Sequence, residues 1–341
     1  SQHHEMLEQI LELYKISHDY NMKVMRFYQS LVYLTSKILR CVSTTLDDWC
    51  PDVVLVQGDT TSTMTAALAS FYRKIPVAHV EAGLRTGSLS APFPEEANRR
   101  MTSCLSSFHF APTRENAENL KREGISPETI VITGNTVIDA LKDMLERVRK
   151  KPVEHFRRAL GPEAGSILEN NRKVILVTAH RRENFGAGVN NICEAISILA
   201  SRFPDLLFVY PVHLNPNVQK TVHRRLGRIP NMILLNPLNY ETFIFLMNRA
   251  FFILTDSGGI QEESPALGKP VLVLRAVSER PEAIKAKTAL LVGTDVRRIV
   301  QESTKLLRDK GHYLRMSRIR HVYGDGRASE RIIRSLHAWF A

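Results

Sequence analysis

The feature that most constrains the fold is an alternation of short apolar runs with stretches of helical period, met twice along the chain. From Asp52 onward, VVLVQ (53–57) precedes a helical pattern from Ser62 to Arg73. PVAHVE (76–81) then leads into a Gly/Pro/Ser loop (82–94) and a helix from about Glu95. FHFA (108–111) and IVIT (130–133) continue the rhythm, followed by helices over 114–123 and from Val137. Such a β-α-β-α order predicts a parallel sheet covered on both faces.

A second cycle runs through VILVTA (174–179), LLFVYPV (206–212), MILLN (232–236), FFILT (251–255), PVLVL (270–274) and LLVG (290–293). Helices are expected over 190–202, 216–226, 240–249 and 259–267 and from Asp295. Between the cycles, residues 151–171 lose the period and collect Pro152, Gly161, Pro162 and Gly165, which reads as a linker. The expectation is an α/β chain of two Rossmann-like domains facing across a cleft, 1–165 and 166–327. Its 341 residues are enough for two cores at roughly 150 residues each. His4 to Trp49 reads helical through Met6, Ile10, Leu11 and Tyr14, and a last helix over 328–341 is expected to cross back to the first domain.

Composition enters through charge. A net +11 suits nucleic acid, an anionic membrane surface or an anionic small substrate. The excess is spread over Arg147–Lys151, Arg157/Arg158, Lys220–Arg228 and Arg297–Arg320, mostly interleaved with apolar residues at helical spacing. That is the pattern of solvated helix faces, and no nucleic-acid motif accompanies it. No apolar run approaches the ~18 residues of a membrane span. The four cysteines (Cys41, Cys50, Cys104, Cys193) form no C-x-x-C pair, which argues against structural zinc and a disulfide scaffold and fits a reducing cytoplasm.

Three motifs carry chemistry. T-D-S-G-G-I-Q-E-E (255–263) follows an apolar strand and opens a helix, so the N–H groups at Ser257, Gly258 and Gly259 form a ready phosphate or diphosphate site. Glu262 and Glu263 lie one turn further in, where a carboxylate can accept both hydroxyls of a ribose. T-A-H-R-R-E-N (178–184) ends the second cycle's first strand, where open α/β sheets bind ligands. There His180 can donate to a phosphate or act as acid or base, and Arg181 and Arg182 supply positive charge for a leaving diphosphate. The third group comprises Q-G-D-T-T (57–61), V-E-A-G-L-R-T (80–86) and P-E-E-A-N-R (94–99). Asp59 and Glu95 taken singly are N-cap or first-turn acids. Converging with Glu81 on one cleft, their crowding and burial would push their pKa values apart for acid–base work.

Taken together, these motifs resemble the non-hydrolysing bacterial UDP-N-acetylglucosamine 2-epimerases of the enterobacterial type. The likeness runs from S-Q-H-H-E-M-L-E-Q (1–9) to Y-G-D-G-R-A-S-E-R-I (323–332) and includes Y-P-V-H-L-N-P (210–216) and S-E-R-P-E (278–282). It implies the glycosyltransferase-B fold and interconversion of UDP-GlcNAc and UDP-ManNAc without NAD, metal or other cofactor. The implied route is elimination of UDP to 2-acetamidoglucal and re-addition on the other face. By family position Asp59, Glu81 and Glu95 form the acid/base group and His180 contacts the diphosphate side. Ser257, Gly258 and Gly259 cradle phosphate, Glu263 holds the ribose, Phe243 stacks on uracil, and Arg181, His213 and Arg280 complete the substrate-binding set. The resemblance further implies a cytoplasmic homodimer serving surface-polysaccharide synthesis, with no nucleic-acid or membrane partner.

The sequence also departs from the family. The family's opening strand, Gly-Thr-Arg-Pro-Glu turn, following helix and second strand have no counterpart here, so the first domain is expected to lack its opening β-α-β segment. Arg280, in a later motif, does not inherit the role of that N-terminal Arg. Ser278 replaces Thr and keeps its hydroxyl, and Ala276, Lys287, His321 and Val322 replace family residues. Where some members hold an allosteric ligand with a Gln and an Arg, this chain has Glu5 and Tyr28, although Gln2 and His213 match. Two other activities compete with epimerisation: sugar transfer by the same fold, and non-catalytic UDP-sugar binding.

Overall fold

The computed structural model describes residues 4–24, 29–168, 172–278 and 280–341. The chain divides into two compact units, Ser1–Asp139 with Tyr323–Ala341, and Ala140–Val322.

Among the described residues, the first unit holds a four-stranded parallel sheet in the order β1 (Val54–Gln57), β2 (Val77–Val80), β3 (Phe108–Ala111), β4 (Ile130–Ile132). Its helices are α1 (His4–Tyr14), α2 (Leu31–Trp49), α3 (Thr61–Tyr72), α4 (Glu95–Leu105) and α5 (Arg114–Arg122). Next comes α6 (Thr136–Lys150), inside which the division between the units falls. β2 is buried along its whole length, as a central parallel strand must be. Helix starts follow local capping chemistry: Ser30, Thr60 and Thr113 each accept the N–H three residues ahead. The opening stretch is not continuously helical. Residues 16–18 and 20–24 have no helical structure, where His18, Asp19 and Asn21 offer the backbone local alternatives to helix.

The second unit holds a six-stranded parallel sheet in the order β10-β9-β8-β5-β6-β7. These strands are β5 (Val174–Thr178), β6 (Leu207–Pro211), β7 (Met232–Leu235), β8 (Ala250–Thr255), β9 (Val271–Val273) and β10 (Ala289–Leu291). Its helices are α7 (Val153–Leu160), α8 (Ala164–Leu168), α9 (Ala187–Arg202), α10 (Pro216–Leu226), α11 (Tyr240–Arg249), α12 (Gly258–Ala266), α13 (Pro281–Lys285), α14 (Val296–Arg308) and α15 (Lys310–Met316). Ile175, Val177, Phe208, Tyr210, Phe252 and Leu254 form the middle of its core. The strand order reverses between β5 and β8, which opens a ligand crevice at their carboxyl ends.

The stretch expected as a linker, 151–171, contains α7 and α8 instead. Pro152 stands at the N-cap of α7 and Gly161, at φ 67°, at its C-cap, so these residues mark helix ends. Phe156 is buried and stacks on Phe245 at 4.0 Å, which fixes α7 on α11. The chain ends in α16 (Ala328–Phe340), which belongs to the first unit. Ile332, Leu336 and Trp339 pack against Phe108, Phe110 and Val131, with the Trp339 and Phe108 ring centroids 3.7 Å apart.

Candidate active site

In the first unit, acidic residues gather at the carboxyl ends of β1 and β2. Glu81 follows β2 with a left-handed φ of 67°, and a Cβ added at Gly58 would lie 3.5 Å from Glu81 Oε2. Asp59 does not cap α3, since Thr60 takes that place. Its carboxylate is instead held from α4: Arg99 donates to Asp59 Oδ2 from Nε at 3.0 Å and Nη2 at 2.8 Å, and Asn98 donates to the Asp59 carbonyl at 3.0 Å. Arg99 also donates to the fully buried Glu96 at 3.0 Å, and Glu96 accepts the backbone N–H groups of Thr86 and Gly87. Glu95 is the first residue of α4 and shares a face with Asn98 and Arg99 by helical spacing. It is half-buried. Asn135 donates to Glu81 Oε1 at 3.4 Å. His79 donates from Nε2 to the Gly58 carbonyl at 2.8 Å, and burial holds its imidazole down to about 4, so it is neutral.

In the second unit, the crevice between β5 and β8 is organised by Asp256. This fully buried carboxylate accepts the backbone N–H groups of His180 and Arg181 and the side-chain amide of Asn184. His180 Nδ1 lies 3.5 Å from Asp256 Oδ1, and the His180 ring stacks on His213 at 5.4 Å. His213 Nδ1 accepts the Asn215 N–H, which puts the proton of the neutral ring on Nε2. Tyr210 donates its hydroxyl to the Ala179 carbonyl, steadying the turn just before His180. Arg181 Nε is buried with no hydrogen-bond partner among the described residues. The side chain of Arg182 lies outside the described residues, as do Gln2 and Tyr28 and the side chain of Glu5.

The turn at Ser257–Gly259 is defined by its neighbours as well. Ser257 stands at the N-cap of α12 with no side-chain cap bond. Nothing lies within 4 Å of a Cβ built on Gly259, so a ligand has room to approach the backbone there. At Gly258 an added Cβ would lie 3.0 Å from Arg280 Cζ, and Arg280 Nε donates to Glu262 at 2.7 Å. The Ser278 hydroxyl donates to Gln261 at 2.6 Å and accepts the Arg280 N–H at 3.1 Å, so the hydroxyl kept at this position has a structural task. Glu263 is buried and accepts the Tyr240 hydroxyl at 2.7 Å. Burial pushes its carboxyl up to about 7, the Tyr240 bond opposing the rise and the Glu262 charge adding to it. Phe243, half-buried, lies one turn along α11 from Tyr240 and on the same face.

A family profile described as UDP-N-acetylglucosamine 2-epimerase matches residues 1–337. The chain belongs to the UDP-N-acetylglucosamine 2-epimerase family. It is 51% identical to the Yersinia pestis UDP-N-acetylglucosamine 2-epimerase over 336 residues, 98% of this chain and 89% of that protein. Among solved structures, the Neisseria meningitidis UDP-GlcNAc 2-epimerase bound to UDP-GlcNAc superposes with a TM-score of 0.93 at 47% identity, covering 99% of this chain and 90% of that one. The Methanocaldococcus jannaschii UDP-GlcNAc 2-epimerase in complex with UDP-GlcNAc and UDP gives 0.81 at 31%, covering 97% and 88%.

Four further residues shape the two sites: Arg99, Glu96, Asn135 and Asp256. Asp256 carried a signal, a carboxylate directly before the Ser-Gly-Gly turn. Arg99 and Asn135 carried none, because their partners lie 40 and 54 residues away.

Proposed function

We propose that this chain interconverts UDP-GlcNAc and UDP-ManNAc for the supply of surface-polysaccharide precursors. The observation that carries the reading is the family match over 1–337 together with the α12 turn, open at Gly259 and followed by buried Glu263. UDP binding falls to the second unit: Phe243 stacks on uracil, Glu263 accepts the ribose hydroxyls, and the N–H groups at Ser257, Gly258 and Gly259 take the diphosphate with the helix dipole behind them. His180, His213, Arg181 and Arg280 add charge and hydrogen bonds on the diphosphate side.

The C2 proton of the sugar has no adjacent carbonyl to acidify it, so direct deprotonation is unfavourable. Elimination avoids that problem. The C1–O bond breaks with its electron pair leaving on UDP, and the C2 proton passes to a carboxylate, giving 2-acetamidoglucal. Re-addition of UDP at C1, with protonation of C2 from the other face, completes the change. Asp59, Glu81 and Glu95 are the acid/base group of this scheme, and positive charge with oriented N–H groups stabilises the departing diphosphate. The proposed substrates place the work in the cytoplasm. A homodimer is also proposed, supported by the exposed Val32, Trp49, Phe71 and Tyr72 on α2 and α3 of the first unit.

Incubation of the chain with UDP-GlcNAc alone tests the activity. UDP-ManNAc should accumulate to an equilibrium mixture. UDP release only when an acceptor is added would mean sugar transfer, and UDP binding without conversion would mean a binding protein.

A further inference from the structure

Asp256 belongs to no role assigned above, yet its buried carboxylate accepts hydrogen bonds from three residues. Neighbouring parallel strands bring it there. Thr178 and Thr255 end β5 and β8 in paired register, their hydroxyls 2.6 Å apart, and the Asp256 N–H continues the ladder to the Thr178 carbonyl at 3.2 Å. The carboxylate therefore faces the turn that leaves β5. It accepts the His180 N–H at 3.1 and 3.0 Å on its two oxygens, the Arg181 N–H at 2.9 Å and the Asn184 amide at 2.9 Å. Asn184 is anchored in turn on the Leu274 carbonyl at 3.1 Å, one residue beyond β9. An ionised carboxylate has acceptor sites on both oxygens and suits this set of donors, whereas an amide offers acceptors on one end only.

The same carboxylate reaches the ring of His180, whose Nδ1 is 3.5 Å from Oδ1. An acceptor at that place favours a proton on Nδ1 and leaves Nε2 as the nitrogen remote from Asp256. His213 stacks on the face of the His180 ring, 14° from parallel, which limits rotation of the ring. We propose that Asp256 is a positioning residue for the epimerase reaction: it fixes the backbone, ring orientation and tautomer of His180 from the neighbouring strand. The inference rests on the proposed role of His180 at the diphosphate.

Two measurements test it. The first needs no turnover: nitrogen-15 NMR of histidine-labelled protein above the imidazole titration should show His180 in the Nδ1–H tautomer, and the Nε2–H tautomer overturns the proposal. The second is a double-mutant cycle on the rate of C2 hydrogen exchange, once the wild-type chain has shown exchange. Asp256→Asn should lower kcat on the order of 10²-fold, with a smaller change in KM. In a His180→Asn background the same change should cost no more than about twofold. Equal losses in both backgrounds mean that Asp256 serves only the fold and overturn the proposal. If Asp256→Asn fails to fold, or the wild type shows no exchange, the tautomer measurement decides alone. Absence of exchange in the wild type would count against the proposed activity, separately from the Asp256–His180 contact.

Discussion

Glu263 and His79 are buried titratable groups that the fold keeps neutral from opposite ends of the pH scale. Glu263 titrates at about 7 against an ordinary 4.5, so between those values the folded state holds more protons than the unfolded one. Stability therefore falls as pH rises from 4.5 to 7, by about 3 kcal/mol. His79 titrates at about 4 against 6.5, so stability also falls as pH drops from 6.5 to 4, again by about 3 kcal/mol. Chemical denaturation across pH 4–8 separates the two. Glu263→Gln should remove the decline toward neutral pH, and His79→Gln the decline toward acid. If ribose hydroxyls donate to Glu263, UDP binding near pH 6 should release a proton, measured by calorimetry in buffers of different ionisation enthalpy. At this scale the sequence was legible where a motif is local, as in Ser257–Glu263. It was not legible where a side chain answers a distant one, because nothing near Arg99 in the chain announces Asp59.

At the scale of elements, strands were the clearest part of the sequence, since parallel strands covered on both faces leave unbroken apolar runs such as Val174–Val177. Pro and Gly misled between the two cycles because helix ends and linkers use the same residues, and only the burial of Phe156 and Leu160 separates them. The return of α16 was readable as a helix, but its docking depends on contacts that sequence does not display. Asp139 caps it by accepting the Ala328 and Ser329 N–H groups, and Gly134 and Gly324 approach so closely that a Cβ on Gly324 would lie 2.9 Å from Gly134 Cα. Trp339 lies over Phe108 and Phe110 and is half-buried. Trp339→Ala should cost about 2 kcal/mol, less than for a fully buried aromatic, read as a lower denaturation midpoint with an unchanged slope.

For the whole molecule, two α/β units were legible from the repeated rhythm, while their division inside α6 was not, because a continuous helix gives no compositional break. The basic excess lies partly on solvated faces, with Arg224, Arg225, Arg297 and Arg298 exposed, and partly in structural pairs such as Arg99 and Arg280. The proposed epimerisation requires the chain to break and remake the C2–H bond of its substrate. The most direct measurement is proton NMR of UDP-GlcNAc incubated with the chain in deuterium oxide, without an acceptor. Loss of the C2 proton signal, with deuterium appearing at C2 of both UDP-GlcNAc and UDP-ManNAc, is the predicted result. Recovery of UDP-GlcNAc with its C2 proton intact, from a chain that binds UDP, would contradict it.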